Sequence, residues 1–202
     1  MDNLSKLTEF FAHFPGIGPR QAKRFVYYLL NKSPAYIAEF TRLIEEAKKS
    51  TSECNQCHRF FTSVQATHTC SICLDPNRDH QTLMIVARDS DFETIEKSSA
   101  YKGLYFILGG TVPVLDKEPE KRIRLETLLR YIVDSKNLRE VILSLNTTPD
   151  GEHTAHIVKE ALQKISSSSP LKITILGRGL STGAELEYAD SETIKSALKN
   201  RN

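Results

Sequence analysis

The four cysteines of this chain form two pairs, Cys54-x2-Cys57 and Cys70-x2-Cys73, separated by twelve residues. Thiolates are soft donors, and each pair can span one edge of a tetrahedron. The spacing therefore predicts a four-thiolate metal centre. One structural Zn2+ ion per chain is the expectation, because four sulfurs close the shell and leave no open position for a catalytic water. Two other chemistries use the same residues. A four-sulfur iron site has similar spacing. A pair of disulfides would need an oxidising compartment, and no secretory leader is read at the N-terminus. His58 and His68 flank the cysteines as spare nitrogen donors.

A second constellation is basic. Phe14-Pro15-Gly16-Ile17-Gly18-Pro19-Arg20 places two glycines around one apolar residue, followed by a proline suited to the first position of a helix. Such a turn leaves backbone N–H groups free, and the dipole of the following helix favours an anion there. Arg20, Lys23 and Arg24 add positive charge, and no acidic residue lies between Phe10 and Leu30. Gly16, Gly18, Arg20, Lys23 and Arg24 are the candidate DNA-binding residues. Phosphate contacts of this kind carry no base information, so the binding should be sequence-independent and salt-sensitive. The competing reading is an ordinary turn between packed helices.

A third pair is acidic. Asp150 and Glu152 follow an apolar run, Glu140–Leu145. They can hold magnesium, cap a following helix or form an acidic docking surface. The cap and docking readings are preferred.

The elements that must carry these groups follow from periodicity. Leu4, Leu7, Phe10, Phe11 and Phe14 recur at helical spacing. Ala22, Phe25, Val26, Leu29 and Leu30 give the second helix its buried face. Ala35–Lys49 predicts a third helix with Ile37, Phe40, Leu43, Ile44 and Ala47 turned inward. Beyond the cysteines the pattern alternates. Strands are expected at Thr82–Ala87, Leu104–Leu108, Glu140–Leu145 and Lys172–Leu176, with helices at Ser90–Ser98, Arg122–Ser135 and Thr154–Ile165. Ser166–Ser169 reads as a loop, and Ser191–Leu198 as a helix with Ser191 as its N-cap. The fold class is α/β: a mainly parallel sheet with helices on both faces, behind a helical front. Chemistry in such sheets sits at the carboxyl ends of the strands.

Composition narrows little further. The 27 basic and 25 acidic residues nearly cancel, so the basic patch is local. No run is long enough to span a membrane, and a cytoplasmic, nucleoid-associated protein is expected. There is no GxxxxGK[ST], which argues against ATP hydrolysis.

Taken in order, these motifs resemble the RecR family of bacterial recombination mediators nearly end to end. Phe14–Arg20 is similar to its helix–hairpin–helix, and Cys54, Cys57, Cys70 and Cys73 to its zinc finger. Leu83–Asp91 with Asp150–Glu152 look like its Toprim domain, and Arg178–Asp190 like its C-terminal signature. The resemblance implies four parts: residues 1–53 for DNA binding, 54–75 for zinc, 80–176 for Toprim, and 177–202 for a C-terminal oligomerisation arm. It implies a non-enzymatic DNA repair and recombination mediator that helps load a recombinase on single-stranded gaps. Its implied partners are DNA, both single- and double-stranded, RecO and in some settings RecF. Its implied assembly is a homo-dimer or a ring-shaped homo-tetramer. Asp150 and Glu152 occupy the positions implied to dock RecO.

Two departures stand out. Toprim domains usually carry a glutamate where this chain has Arg88. A guanidinium neither accepts a proton at neutral pH nor ligates magnesium. This argues against the alternative reading, a Toprim-type nuclease or primase-like enzyme. Arg88 is expected to pair instead with Asp89, Asp91 or Asp150. The loop Asn146-Thr-Thr-Pro149 also differs from the usual Asn-Pro start.

Overall fold

The computed structural model describes residues 2–62, 67–116, 118, 121–165, 171–177, 179–180, 183 and 185–199. The chain divides into two compact units, Met1–Thr51 and Ser52–Asn202.

The first unit is helical: α1 (Asn3–Ala12), α2 (Pro19–Leu30) and α3 (Pro34–Ser50). Asp2 caps α1 by accepting from the Ser5 amide at 2.7 Å, and Ser33 caps α3 by accepting from Tyr36 at 3.2 Å. α1 and α2 pack as a hairpin. Phe11 holds them together, with ring centroids 5.5 Å from Phe14 and 5.7 Å from Phe25. Only Ala22 and Val26 are buried among the residues of the three helices. The expected inward face of α3 is not covered: Phe40, Leu43 and Ile44 are all exposed. Periodicity marks a face that needs a partner, and within this unit α3 finds none. Phe25 and Leu30 of α2 are exposed for the same reason.

The second unit begins with a two-stranded ribbon, β1 (Thr51–Glu53) and β2 (Phe60–Thr62), followed by one helical turn, α4 (Ser71–Leu74). The main sheet then runs β3 (Asp79–Val86), α5 (Asp89–Ser98), β4 (Gly103–Ile107), α6 (Leu125–Asp134), β5 (Glu140–Ser144), α7 (Pro149–Ile165) and β6 (Lys172–Ile175). Its order is β4-β3-β5-β6, and every pair is parallel. Alternation along the central strands sends side chains to two cores. Leu83, Ile85, Phe106 and Leu143 pack with α6 and α7 through Leu128, Val158 and Leu162. Met84, Val86, Tyr105 and Ile107 face the other way, against Phe92 of α5 and the four cysteines.

α7 starts earlier than its apolar pattern indicates. Thr148 caps it, its hydroxyl accepting from Gly151 N–H at 3.2 Å, and Pro149 opens the first turn. A Cβ at Gly151 would lie 2.0 Å from the Asn146 carbonyl oxygen, so the helix start presses directly on the β5 loop.

The C-terminal region carries a short 3-10 helix, Leu186–Tyr188, and α8 (Ser191–Lys199). Asp190, not Ser191, caps α8: its carboxylate accepts from the Thr193 amide at 2.9 Å and the Thr193 hydroxyl at 2.6 Å. Ser166–Ser169, and Arg178, Ser181, Thr182 and Ala184 of the C-terminal signature, lie outside the described residues. No helix among the described residues is long and apolar enough to cross a membrane.

Candidate nucleic-acid interface and metal centre

The hairpin turn between α1 and α2 is built around one strained position. Gly16 sits at φ +74, where a side chain would be costly. Gly18 has an ordinary extended conformation and precedes α2 as its N-cap residue. A Cβ at Gly18 would meet nothing, so the missing side chain leaves the face of the turn open to an approaching ligand. The Ile17 amide donates to the Phe14 carbonyl at 3.0 Å, closing the turn. The amides of Gly16, Gly18, Arg20 and Gln21 find no acceptor among the described residues. Free donors at a helix start are the condition for anion binding.

Gly16, Gly18, Arg20, Lys23 and Arg24 are all exposed. None of the three cations has a carboxylate partner among the described residues. Arg24 makes one weak contact, to Gln21 Oε1 at 3.4 Å. The acid-free stretch also runs further than Leu30, to Ala38, and includes Lys32. Lys32 was not singled out by spacing. Its ammonium lies 4.2 Å from the Tyr28 ring centroid and 5.6 Å from that of Tyr36. The Lys32 contact holds the Tyr28 phenol below its usual range. The signal that could have found Lys32 is the length of the run without an acid.

The four cysteines converge. Their sulfurs all lie within 4.8 Å of one another, with Cys54–Cys73 at 3.9 Å and Cys57–Cys70 at 3.6 Å. A tetrahedral ion with metal–sulfur bonds of ~2.3 Å needs sulfur–sulfur edges of about 3.8 Å. The thiols are unbridged and buried. The Cys57 thiol, with Cys70 and Cys73, holds Cys54 below the usual thiol range, whereas the Cys54 neighbour and burial push Cys73 up. Four thiolates this close require a cation among them to ionise together. The Cys70 amide also donates to Cys54 Sγ at 3.3 Å, as expected of a sulfur that carries charge. The cluster can therefore hold a metal ion. His58 turns away from it, its Nδ1 meeting Glu53 Oε1 at 2.7 Å.

This cysteine cluster is tied to the sheet. Ile107 N–H donates to the Cys57 carbonyl at 2.9 Å, and Phe60 N–H donates to Asp89 Oδ1 at 2.9 Å. Arg124 reaches Glu53 Oε1 at 3.2 Å and the Ile107 carbonyl at 3.4 Å. The Arg59 guanidinium lies 4.8 Å from the Phe92 ring centroid. Residues distant in sequence make these clamps, so spacing did not reveal them.

At the carboxyl ends of the strands the expected acidic pair is separated. Asp150 and Glu152 lie in the first turn of α7, two positions apart, and positions so spaced do not face each other. Asp150 Oδ1 accepts from the Val114 amide at 3.2 Å. Glu152 is exposed. Both stabilise the positive end of the α7 dipole. Arg88 caps α5 from an exposed position, and its own amide donates to Asp91 Oδ2 at 3.0 Å. Its guanidinium makes no ion pair with Asp89, Asp91 or Asp150 among the described residues, contrary to expectation. The cysteines are the only group of three or more metal-donor residues among the described residues.

Comparison with known proteins agrees with this order of parts. Residues 4–48 match the RecR helix-hairpin-helix family, 81–176 the Toprim domain family, and 179–202 the RecR C-terminal family. The chain is 34% identical over 198 residues to recombination protein RecR of Lactococcus lactis subsp. lactis (strain IL1403), covering 98% of this chain and 96% of that protein. It is 35% identical over 201 residues to recombination protein RecR of Legionella pneumophila (strain Corby), covering 100% and 98%. Against recombination protein RecR of Bacteroides thetaiotaomicron the identity is 33%, covering 98% and 92%. Identity at this level across essentially the whole length shows that the chain belongs to the RecR family of recombination proteins.

Proposed function

We propose that this protein is a DNA repair and recombination mediator that binds DNA without sequence preference and performs no bond-breaking itself. The observation that carries the reading is the α1–α2 turn. Amides without an acceptor among the described residues stand there beside Arg20, Lys23 and Arg24, which have no carboxylate partner among those residues. Phosphates supply what both groups lack.

The working form is a homo-oligomeric ring, a dimer or tetramer in the cytoplasm. It encloses DNA and helps load the recombinase on single-stranded gaps. The exposed apolar face of α3, and Leu198 near the end of α8, support contacts between copies. The acidic start of α7, with Asp150 and Glu152, is the docking site for a RecO-like partner, and a RecF-like partner joins the same pathway. The metal is one structural Zn2+ per chain, held by Cys54, Cys57, Cys70 and Cys73. Four soft donors at tetrahedral spacing support that choice. The functional parts are residues 1–53, 54–75, 80–176 and 177–202.

The rival is a Toprim nuclease or primase. Arg88 in place of a carboxylate, and an acidic pair split around a helix, both weigh against a magnesium site.

The test is DNA affinity as a function of salt for wild type and for Arg20→Ala plus Arg24→Ala. The double variant is expected to weaken binding to all sequences alike and to reduce the slope of log K against log salt by about 2. An unchanged slope with intact binding overturns the site assignment. Magnesium-dependent cleavage lost on Asp150→Ala would favour the rival.

A further inference from the structure

Beside the phosphate-binding turn lies a groove of about 750 Å³ with mostly apolar walls. Gly16 and Ile17 of the turn form one end, and Gln21, Arg24, Phe25, Tyr27 and Tyr28 of α2 form the rest. We propose that this groove receives an unstacked nucleobase of single-stranded nucleic acid, with Tyr28 as the stacking platform. The proposal rests on the phosphate-binding reading of the same turn and names the kind of strand it selects.

Three observations support it. First, Tyr28 is half exposed, although tyrosine is large and largely apolar. Lys32 occupies one face of its ring, at 4.2 Å from the centroid, and a base can stack on the other. Second, the groove carries charge complementary to one occupant. Arg24 is in its wall, Arg20, Lys23 and Lys32 are on the same helix or just past its end, and no acid lies between Phe10 and Ala38. Third, the groove shares Gly16 with the anion-binding turn. A phosphate held by the turn amides therefore places the adjoining sugar and base at the mouth of the groove.

Duplex DNA cannot use this subsite without unstacking, because its bases are buried in the stack. A single strand can. Stacking on an aromatic ring adds about 1–3 kcal/mol per base, roughly 5- to 150-fold in affinity, and tolerates every base.

The experiment is fluorescence anisotropy with oligothymidylate, the same oligomer carrying abasic sites, and a duplex of equal length, at matched salt. The proteins are wild type, Tyr28→Ala, Tyr28→Phe, and Arg20→Ala plus Arg24→Ala, each with its molar mass measured in solution. Wild type is expected to bind oligothymidylate about tenfold more tightly than the abasic strand. Tyr28→Ala should lose that preference while keeping its duplex affinity, and Tyr28→Phe should retain it. The arginine variant should weaken on all three ligands. Three outcomes overturn the proposal: wild type that does not distinguish the abasic strand, Tyr28→Ala that falls equally on single strand and duplex, or Tyr28→Ala with altered molar mass. The last would make the groove an interface between copies. Wild type that binds none of the ligands would instead sink the phosphate-binding reading itself.

Discussion

The two units of this chain treat apolar residues in opposite ways. In the sheet unit, Leu83, Ile85, Phe106, Leu128, Leu143, Val158 and Leu162 are shut from solvent, and the cysteines close the second face. In the helical unit only Ala22 and Val26 of the three helices are buried, while Phe10, Tyr27, Tyr28, Leu30, Leu43 and Ile44 stay exposed. Apolar surface left open at this scale marks surface meant for a partner. The sheet unit closes two cores of its own, although Leu115, Val133, Leu186 and Tyr188 stay exposed at its periphery, whereas the helical unit buries almost nothing by itself.

The most severe way to break the sheet unit is to disable the four-cysteine cluster that can hold a metal ion. Cys54 and Cys57 belong to the same core as Met84, Val86 and Ile107, and the Cys57 carbonyl accepts from Ile107. Cys57→Ser, or chelation of the bound ion, is expected to lower stability by on the order of 5 kcal/mol. Thermal melts with metal content measured alongside would check this. An unchanged melt in metal-free protein would show that the thiols pack as ordinary core residues.

The next largest effect contrasts two phenylalanines. Phe106 is fully buried between α6 and the sheet, and Phe10 on α1 is 71% exposed. Phe106→Ala should cost about 3–5 kcal/mol by urea titration. Phe10→Ala should stay within about 0.5 kcal/mol in isolated chains. A larger loss at Phe10 that grows with protein concentration would show it covered by another copy.

Gly151→Ala probes the junction of the β5 loop and the start of α7, where the proposed docking residues lie. Its Cβ would lie 2.0 Å from the Asn146 carbonyl oxygen, which is backbone and cannot swing aside. A loss of about 2 kcal/mol is expected, with displacement of the Asp150 turn. The wild-type stability would show that α7 starts more loosely than its cap indicates.

Much of this was legible before any coordinates. The CxxC pairs converge as read, because local spacing alone sets a metal knuckle. The alternating strands form a parallel sheet, because short apolar runs and helical repeats are local signals. What was missed has one physical cause: the answer depended on groups far away in sequence. The apolar stripe of α3 was read as inward, but periodicity shows only that a face needs cover, not that its own chain supplies it. Apolar repeats predict a helix from Thr154, whereas Thr148-Pro149 carries the cap signal and the helix starts there. Arg88 was expected to find a carboxylate because three lie nearby in sequence or fold. Asp91 instead accepts from the Arg88 amide, and Asp150 accepts from the Val114 amide. The helix register puts Asp150 and Glu152 on different sides, which a two-residue spacing in a presumed loop does not reveal.

The smallest effect separates the two halves by their ion pairs. In the sheet unit, Glu96 of α5 accepts from Arg78 at 3.2 Å and from the Tyr105 hydroxyl at 2.9 Å, with the Arg78 side chain only 11% exposed. Burial pushes the Glu96 carboxyl up, but Arg78 and Tyr105 outweigh it and hold the group below its ordinary value of 4.5. The ionised form is therefore favoured in the folded chain. Its contribution is complete above the ordinary value and is lost as pH falls through the depressed one. Glu96→Gln should cost about 1 kcal/mol at neutral pH, and its deficit against wild type should close as pH falls from the ordinary value of 4.5 through the depressed one. On α3, Arg42 meets Glu39 at 2.6 Å and Glu46 at 2.5 Å, yet each side chain in that trio is more than half exposed. Glu39→Gln should leave stability essentially unchanged, because solvent screens that exposed pair. Urea midpoints of both variants from acid to neutral pH read the difference. A deficit at Glu96 that does not move with pH would make that contact one of shape rather than charge, and the contrast between the halves would then rest on packing alone.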